Sequence, residues 1–501
     1  MFLIFLLSGL FLGWSLGAND AANAYGTAVG TRMIRFRTAA IACSVFVIIG
    51  AVVSGSGPSE TLGKLGSVNA PPGAFTVALA AALTVTGMTR LGLPVSTSQA
   101  IVGAIIGWNF FSGSLTDLDS LTEIVGSWII CPILAAVFAV VLLKLTQGFL
   151  RVVRMHLFRV DSATRYGLIV AGAFASYSLG ANNIANVMGV FVPSAPFGDL
   201  DVFGLFRLSA GQQLFLIGGI AISVGVFTYS KRVMLTVGSE LFRLSSISAL
   251  IVVLAQGLVL FLFSSAALES WLMSRGLPTI PLVPVSSSQA VVGAIIGIGL
   301  AKGVHNIQFG VLGRIASGWV ATPLISGGAA FVLLFFVQNV FLQPVHTPVH
   351  YTLSSEVAAK LGKDGVYDPA LADLVDREFE SAVEFSDAVQ ARLGSIAGVP
   401  VIVARSRLQP MEIDAERVEA LLAQGWLTQG EGAAVVQLRG RHFRHAWQLS
   451  DALAALSKDW RSRPPTMRNK LHNEALRTKL GRLEGWFTLP QQRPAGSAGR
   501  R

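Results

Sequence analysis

One fourteen-residue stretch occurs twice in this chain, and that duplication limits the possible folds more than any other feature. Residues 94–107 read PVSTSQAIVGAIIG and residues 284–297 read PVSSSQAVVGAIIG, identical at 12 of 14 positions and 190 residues apart. A second pair follows in the same order: GANDAANAYG at 17–26 and GANNIANVMG at 180–189 agree at six of ten positions. Self-similarity on this scale marks an internal repeat. Each half holds a GAN segment followed by a PVS segment, polar and Gly-rich where the surrounding sequence is apolar.

The surroundings decide the class. A mean hydropathy of +0.61, with 52% hydrophobic and 13% charged residues, excludes a soluble globular chain. Charge is segregated, with 27 Asp, Glu, Lys and Arg in residues 1–344 and 39 in residues 345–501. The chain therefore reads as a membrane domain followed by a water-soluble tail. Its net charge of +10 does not point to nucleic acid as a partner, because 17 of 38 basic residues lie in the membrane part and cluster in particular loops. That is how charge sets orientation in a bilayer. Cys43 and Cys131 fall in apolar runs without metal-ligand spacing and read as small core residues. Residues 1–16 lack a basic start and a small-residue cleavage site, so they read as a first span rather than a signal peptide.

A spanning helix needs ~20 mostly apolar residues. The pattern predicts spans at 1–24, 38–56, 73–89, 93–110 and 122–146, then at 166–189, 213–230, 244–266, 281–301 and 314–342. Arg32, Arg35 and Arg37 put the loop after the first span inside. Asp117, Asp119 and Glu123 put the next marked loop outside, and Arg151, Arg154, Arg159 and Arg165 put the following one inside. Further on, Lys231, Arg232 and Arg243, then Lys302 and His305, mark inside loops. The first half thus crosses an odd number of times and the second begins on the opposite face. The expected fold class is an all-α polytopic membrane protein with an inverted-topology repeat of about five spans per half and broken or re-entrant helices. Such repeats are typical of secondary transporters, whereas a channel would more often line its pore with one repeated ring. The expected domains are repeat 1 at 1–150, repeat 2 at 151–343, a mostly helical soluble domain at 344–489 and a disordered end at 490–501. The soluble domain is expected on the outer face of a multi-pass protein of the cell (inner) membrane.

In the tail, residues 368–394 show amphipathic helical spacing, with Leu371, Leu374, Phe379, Val383, Phe385 and Val389 as its expected buried side. GVPVIVA at 398–404 is expected as a strand, 447–460 as a helix and 461–487 as a basic, helix-rich end. The tail carries no nucleotide, metal or nucleophile motif, so it reads as an interaction or regulatory module.

Ionisable groups in a bilayer are costly and mark function. Asp20 is the only acid in the first 59 residues and sits within GANDAAN. Asn19, Asp20 and Asn23 bring side-chain oxygens together, while Gly17, Gly26 and Gly30 let the helix break or pack closely. Such oxygens suit a hard cation such as Na+. Asn182, Asn183 and Asn186 repeat the arrangement without the carboxylate. The PVS segments offer another surface. Pro94 and Pro284 fit helix starts; Ser96, Thr97 and Ser98, and Ser286, Ser287 and Ser288, then crowd the first turns beside free backbone N–H groups. Gln99 and Gln289 add amide donors. A helix start of this kind is an anion site, and the two starts are expected to face each other. Gly103, Gly107, Gly293 and Gly297 read as close helix packing. Together these features describe a cation-coupled anion carrier. Asp20 favours phosphate over sulfate, because it can accept a hydrogen bond from the proton that phosphate keeps at neutral pH.

GANDAANAYGTAVGTR with GANNIANVMG, and PVSTSQ with PVSSSQ, resemble the paired signatures of the inorganic phosphate transporter (PiT) family over residues 1–342. The resemblance implies an inverted-repeat helical fold, commonly a homodimer, that carries inorganic phosphate with Na+ or H+ as coupling ion and needs no cofactor. Some relatives carry sulfate, so a sulfate or other oxyanion permease is the alternative. Asn19, Asp20, Asn182 and Asn183 match the family's GAND positions, and the six hydroxyl residues match its hydroxyl-rich turns. The chain departs from the family in having Asn183 where Asp is usual, and in lacking a Glu within 46–53 and 245–250. Each bound cation normally has a carboxylate to balance it, so the departures bear on the coupling ion. An intramembrane enzyme is disfavoured, since no His lies near Asp20 and no nucleophile elbow occurs. An anion sensor that signals through the tail is the remaining rival.

Overall fold

Lipid offers no partner to backbone N–H and C=O groups, so apolar segments that cross it must satisfy them internally, as helices do. The computed structural model describes residues 2–90, 95–153, 156–202, 206–234, 245–303, 309–394, 398–464 and 466–489. Pro94, Arg154, Arg243, His305 and the end at 490–501 lie outside them.

The chain divides into two compact units, residues 1–269 with 280–347, and residues 270–279 with 348–501. The first is built from α1 (Phe2–Gly30), α2 (Phe36–Ser54), a short α3 (Ser56–Leu65), α4 (Pro71–Arg90), α5 (Thr97–Ser112) and α6 (Leu118–Val153). There follow α7 (Leu157–Met188), α8 (Ala210–Thr228), α9 (Ser246–Leu262), α10 (Ala266–Ser274, which from Ser270 onward belongs to the second unit), α11 (Ser287–Ala301) and α12 (Phe309–Asn339). Within the long loop after α7, strands β1 (Leu200–Val202) and β2 (Phe206–Leu208) pair antiparallel.

Seven described helices are long and apolar enough to cross a membrane, or eight if α9 and α10, bent by 63° at their junction, count as one span. The ten expected spans are corrected at the PVS segments. α5 has 16 residues and α11 has 15, which at 1.5 Å per residue is about 24 and 22 Å, short of the ~30 Å core. Each is a half-helix entered from extended chain. Pro284 does not open α11; it lies two residues before the N-cap Ser286. The GAN segments are not breaks either: α1 and α7 run through them without interruption. Gly17 serves packing instead, its Cα facing the Ile222 carbonyl so closely that a Cβ would overlap it.

Contacts give the helix directions. Phe5 stacks edge-on to Phe75 and Ser15 Oγ lies 3.1 Å from Thr86 Oγ1, so α1 and α4 run parallel. Gly9 faces Val187 while Tyr25 Oη donates to the Ile169 carbonyl, so α1 and α7 run antiparallel. Gly167 faces Leu250 and Gly257 faces Ala175, so α7 and α9 run parallel. α5 ends beside the start of α4, where Trp108 lies against Gly73. α11 ends beside the start of α9, where Lys302 Nζ donates to Ser248 Oγ at 2.7 Å.

The half-helices pack with matched chemistry. Gly103 of α5 sits on the Pro323 carbonyl of α12, and Gly293 of α11 on the Pro132 carbonyl of α6; Gly107 and Gly297 meet Gly327 and Ala136 in the same way. The expected role of these four glycines in close packing is what the contacts display. Cys43 and Cys131 are fully buried core residues.

The second unit repeats one plan. β3 (Tyr351–Thr352), α13 (Ser355–Lys363), a 3-10 turn (Pro369–Leu374), β4 (Glu378–Phe379) and α14 (Ala382–Leu393) are followed by α15 (Val399–Ser406). Then come β5 (Met411–Glu412), α16 (Ala415–Ala423), α17 (Gln429–Gln437), β6 (His442–Phe443) and α18 (Ala446–Leu456), and after them α19 (Met467–Phe487). Tyr351 pairs with Phe379 as Met411 pairs with Phe443, and each copy closes its own apolar core.

Two expectations for this unit fail. Residues 368–394 are not one helix: Asp368 caps the 3-10 turn, Asp376 turns the chain at φ 60°, and Ser381 caps α14. Val383, expected inside, is 39% exposed, and Ala382 is buried in its place. GVPVIVA is helix α15, not a strand, because Gly398 at φ 87° and Pro400 in the first turn start a helix whose Val399, Ile402 and Val403 share the buried face.

Glu431 is the buried carboxylate among the described residues of this unit, held by Lys479 Nζ at 2.6 and 2.7 Å and by its capping box with Thr428. Burial alone would raise its carboxyl, but the Lys479 ammonium and the cap hydrogen bonds outweigh it and hold it below the usual carboxylate range. A depressed folded value contributes stability that is present above the unfolded value near 4.3 and lost as pH falls through the folded one. Lys479→Ala is expected to destabilise the second unit by on the order of 3 kcal/mol at pH 7, with the deficit shrinking below about pH 4. The urea midpoint for proteolysis within 415–487 of the full-length protein, at pH 7 and pH 3.5, measures both.

Candidate functional site

The two PVS segments meet at the centre of the first unit. Ser96 precedes α5 in an extended conformation and its side chain accepts from the Gln99 N–H at 3.4 Å; Ser286 does the same for Gln289 at 3.3 Å. Serine suits the N-cap because its oxygen satisfies an orphan N–H. The hydroxyls two residues on are exchanged between the segments: Ser98 Oγ donates to the Val285 carbonyl at 3.0 Å, and Ser288 Oγ to the Val95 carbonyl at 3.2 Å. The positive ends of α5 and α11 are thereby set against each other.

The GAN segments close around this junction. Ser287 Oγ donates to Asp20 Oδ2 at 2.8 Å, Asn19 Nδ2 lies 3.2 Å from Asp20 Oδ1, and Asn23 Nδ2 donates to Ser287 Oγ at 3.2 Å. From α7, Asn186 Nδ2 donates to Ser98 Oγ at 2.8 Å and to Asn183 Oδ1 at 3.0 Å. Asn182 clamps the extended chain before α11, giving Nδ2 to the Val285 carbonyl at 2.8 Å and accepting its N–H on Oδ1 at 3.1 Å. Non-helical backbone buried among helices needs such side-chain partners.

Asn19, Asp20, Asn23, Asn182, Asn183, Asn186 and the hydroxyls of both PVS segments are thus brought together. The two sides are not equal. Asp20, 3% exposed, is the only buried carboxylate among the described residues of the first unit, and its counterpart is Asn183. Asn182 Nδ2 donates to Asn183 Oδ1 at 3.2 Å as Asn19 Nδ2 does to Asp20 Oδ1, but Asn182 also holds backbone. Because the GAN helices are unbroken, their carbonyls are engaged and only side-chain oxygens remain for a cation.

Five buried polar atoms here have no hydrogen-bond partner: Thr97 Oγ1, Gln99 Oε1, Asn183 Nδ2, Asn186 Oδ1 and Gln289 Oε1. Each costs about 1–3 kcal/mol if left so. Native interiors rarely tolerate this, and a cluster that mixes donors and acceptors is what a bound anion and cation together would satisfy.

Sequence reasoning missed the Val95 and Val285 carbonyls as partners, since main-chain acceptors leave no trace in residue identity. It also missed Trp128 and Pro132 of α6, repeated as Trp319 and Pro323 of α12. That third repeat supplies the surfaces on which Gly293 and Gly103 sit, and Cys131 Sγ beside it reaches the Ser286 carbonyl at 3.6 Å.

The model of the phosphate transporter family matches residues 16–279 and 277–359. A protein of Methanocaldococcus jannaschii, provisionally assigned as a phosphate permease, is 31% identical over 328 residues, covering 66% of this chain and 95% of that protein. The sulfate permease CysP of Bacillus subtilis is 30% identical over 362 residues, covering 71% of this chain and 92% of its own. Among solved structures, a sodium-dependent phosphate transporter aligns with a TM-score of 0.53 at 25% identity, covering 67% of this chain and 99% of that one.

Proposed function

This chain belongs to the phosphate transporter family, and from that premise we propose that it is a secondary carrier taking up inorganic phosphate together with a cation. The family is one of transporters, not of enzymes. The observation that carries the reading is the cluster at Asp20: two hydroxyl-bearing helix starts interlocked through Ser98 and Ser288, next to a buried carboxylate and five unpartnered polar atoms. In this reading Ser96, Thr97, Ser98, Gln99 and their counterparts Ser286, Ser287, Ser288 and Gln289 line the anion site. Asn19, Asp20, Asn23, Asn182, Asn183 and Asn186 supply oxygens to the cation, and Asp20 touches both ions.

Na+ is the preferred coupling ion, because the solved neighbour is a sodium-dependent transporter. Alternating access draws support from the directions of α5 and α11, which start together and run to opposite ends, as two oppositely oriented halves would. With Arg32, Arg35 and Arg37 inside, the start of α4 and the end of α5 are outside. Val345, whose carbonyl accepts from Trp108 Nε1 at 3.2 Å, then leads the tail to the outer face. A homodimer belongs to the same reading and is open to crosslinking.

A sulfate permease is the second reading, favoured by the Bacillus relative and by the loss of one negative charge at Asn183. Proteoliposomes given phosphate, sulfate or arsenate under imposed Na+ or H+ gradients decide between them. Phosphate uptake driven by Na+ is the expected result; uptake of sulfate alone would transfer the case to the second reading, and no flux of any oxyanion would leave the sensor.

A further inference from the structure

Next to the Asp20 cluster lies an open cavity of about 50 Å³ between α1, the end of α4 and the turn after α8. Its polar lining comes from Ser15, Asn19, Thr86, Thr89, Arg90 and Tyr229, and among the described residues no Asp or Glu takes part. The volume holds roughly three to five waters, comparable to the five heavy atoms of a tetrahedral oxyanion. Three features make it more than a crevice. Asn19, on its wall, also lies 3.2 Å from Asp20, so the cavity and the central cluster share a side chain. Thr89 Oγ1 is buried without a partner. Arg90 ends α4 with a guanidinium, whose planar fork suits an oxyanion better than it suits water.

We propose that this cavity is a second, shallower oxyanion site on the path to the Asp20 cluster, with Arg90 as its charged donor and the Thr86 and Thr89 hydroxyls completing it. The inference rests on the carrier reading and extends it. An anion approaching Asp20 meets a buried carboxylate, and a cationic stop one step before it raises the local anion concentration where repulsion is greatest. α4 and α8 end at this cavity, and α1 runs on from it toward Arg32, Arg35 and Arg37, so it opens on their side, the inner one.

The bland explanation is that Arg90 only satisfies the negative end of α4 or anchors it at the interface. Transport kinetics separate the two. In proteoliposomes of the full chain loaded for phosphate exit from the inner face, Arg90→Gln is expected to raise the phosphate KM about tenfold while the maximal rate stays within about twofold. Arg90→Lys should recover part of the loss, and the difference between wild type and Arg90→Gln should narrow as salt rises. An unchanged KM, or equal values for the Gln and Lys variants, overturns the proposal while leaving the carrier intact. If wild-type liposomes move no oxyanion, the carrier reading fails first, and direct binding decides this one. Trp14 lines the same cavity, so phosphate titrated into solubilised Asp20→Asn protein should alter a fluorescence signal that Trp14→Phe removes and Arg90→Gln abolishes. No such signal ends the proposal.

Discussion

Asp20→Asn is expected to cut coupled phosphate uptake by at least about 100-fold without unfolding the protein. The exchange keeps the shape of the side chain, so packing around α1 is preserved. It removes the one buried negative charge among the described residues of the first unit and replaces an oxygen that accepts from Ser287 at 2.8 Å, or from Asn19 at 3.2 Å, by an N–H donor. Hydrogen bonds to a charged group contribute about 1.5–3 kcal/mol, and the proposed coupling ion loses its only counter-charge as well. Initial rates of labelled phosphate uptake, beside a gel-filtration profile of the solubilised variant, measure the effect. Wild-type rates in that variant would remove Asp20 from the mechanism and with it the basis for preferring phosphate to sulfate.

Gly293→Leu has a different outcome: the protein should not assemble. A Cβ at Gly293 lands on the Pro132 carbonyl and on its Cα, which are main-chain atoms and cannot swing aside as a flexible side chain would. Gly103→Leu meets Pro323 in the same manner. Close approach of helix backbones is what small residues provide in a bilayer, and prying α11 from α6 would also displace the N-cap at Ser286. Membrane yield and monodispersity should collapse for both. The internal control is Gly299→Ala, also in α11, where nothing lies within 4 Å and yield should equal wild type. Normal assembly of the Gly293 variant would contradict the helix packing described for both halves.

Much of this arrangement was legible because duplication preserves residues that sit at equivalent places. The serine starts, the small-residue stripe after them and the asymmetry of Asp20 against Asn183 can all be read by laying one half on the other. What stayed hidden depends on tertiary context. Nothing in GANDAAN says whether glycine interrupts a helix or seats it, and Gly17 does the second because the Ile222 carbonyl happens to lie there. The β-branched run at 398–404 favours a strand locally, yet a capping glycine and a proline placed to start a helix prevail over it. Val383 and Ala382 adjoin, and only the Ser381 cap decides which of them faces inward. The tandem plan of the tail was within reach: DREFESAVEFSDA at 376–388 and GRHFRHAWQLSDA at 440–452 share Arg, Phe, Ala and the SDA triplet. The match is weaker than that of the two halves of the first unit, since exposed positions constrain few residues.

Ser98 and Ser288 each hook the main chain of the opposite half. A fastening with two prongs side by side does not yield gradually: slack in one throws its load on the other. In a carrier, the barrier to water and stray ions would then hold until both prongs let go together, so a passage open to both compartments at once would require the whole clasp to fail.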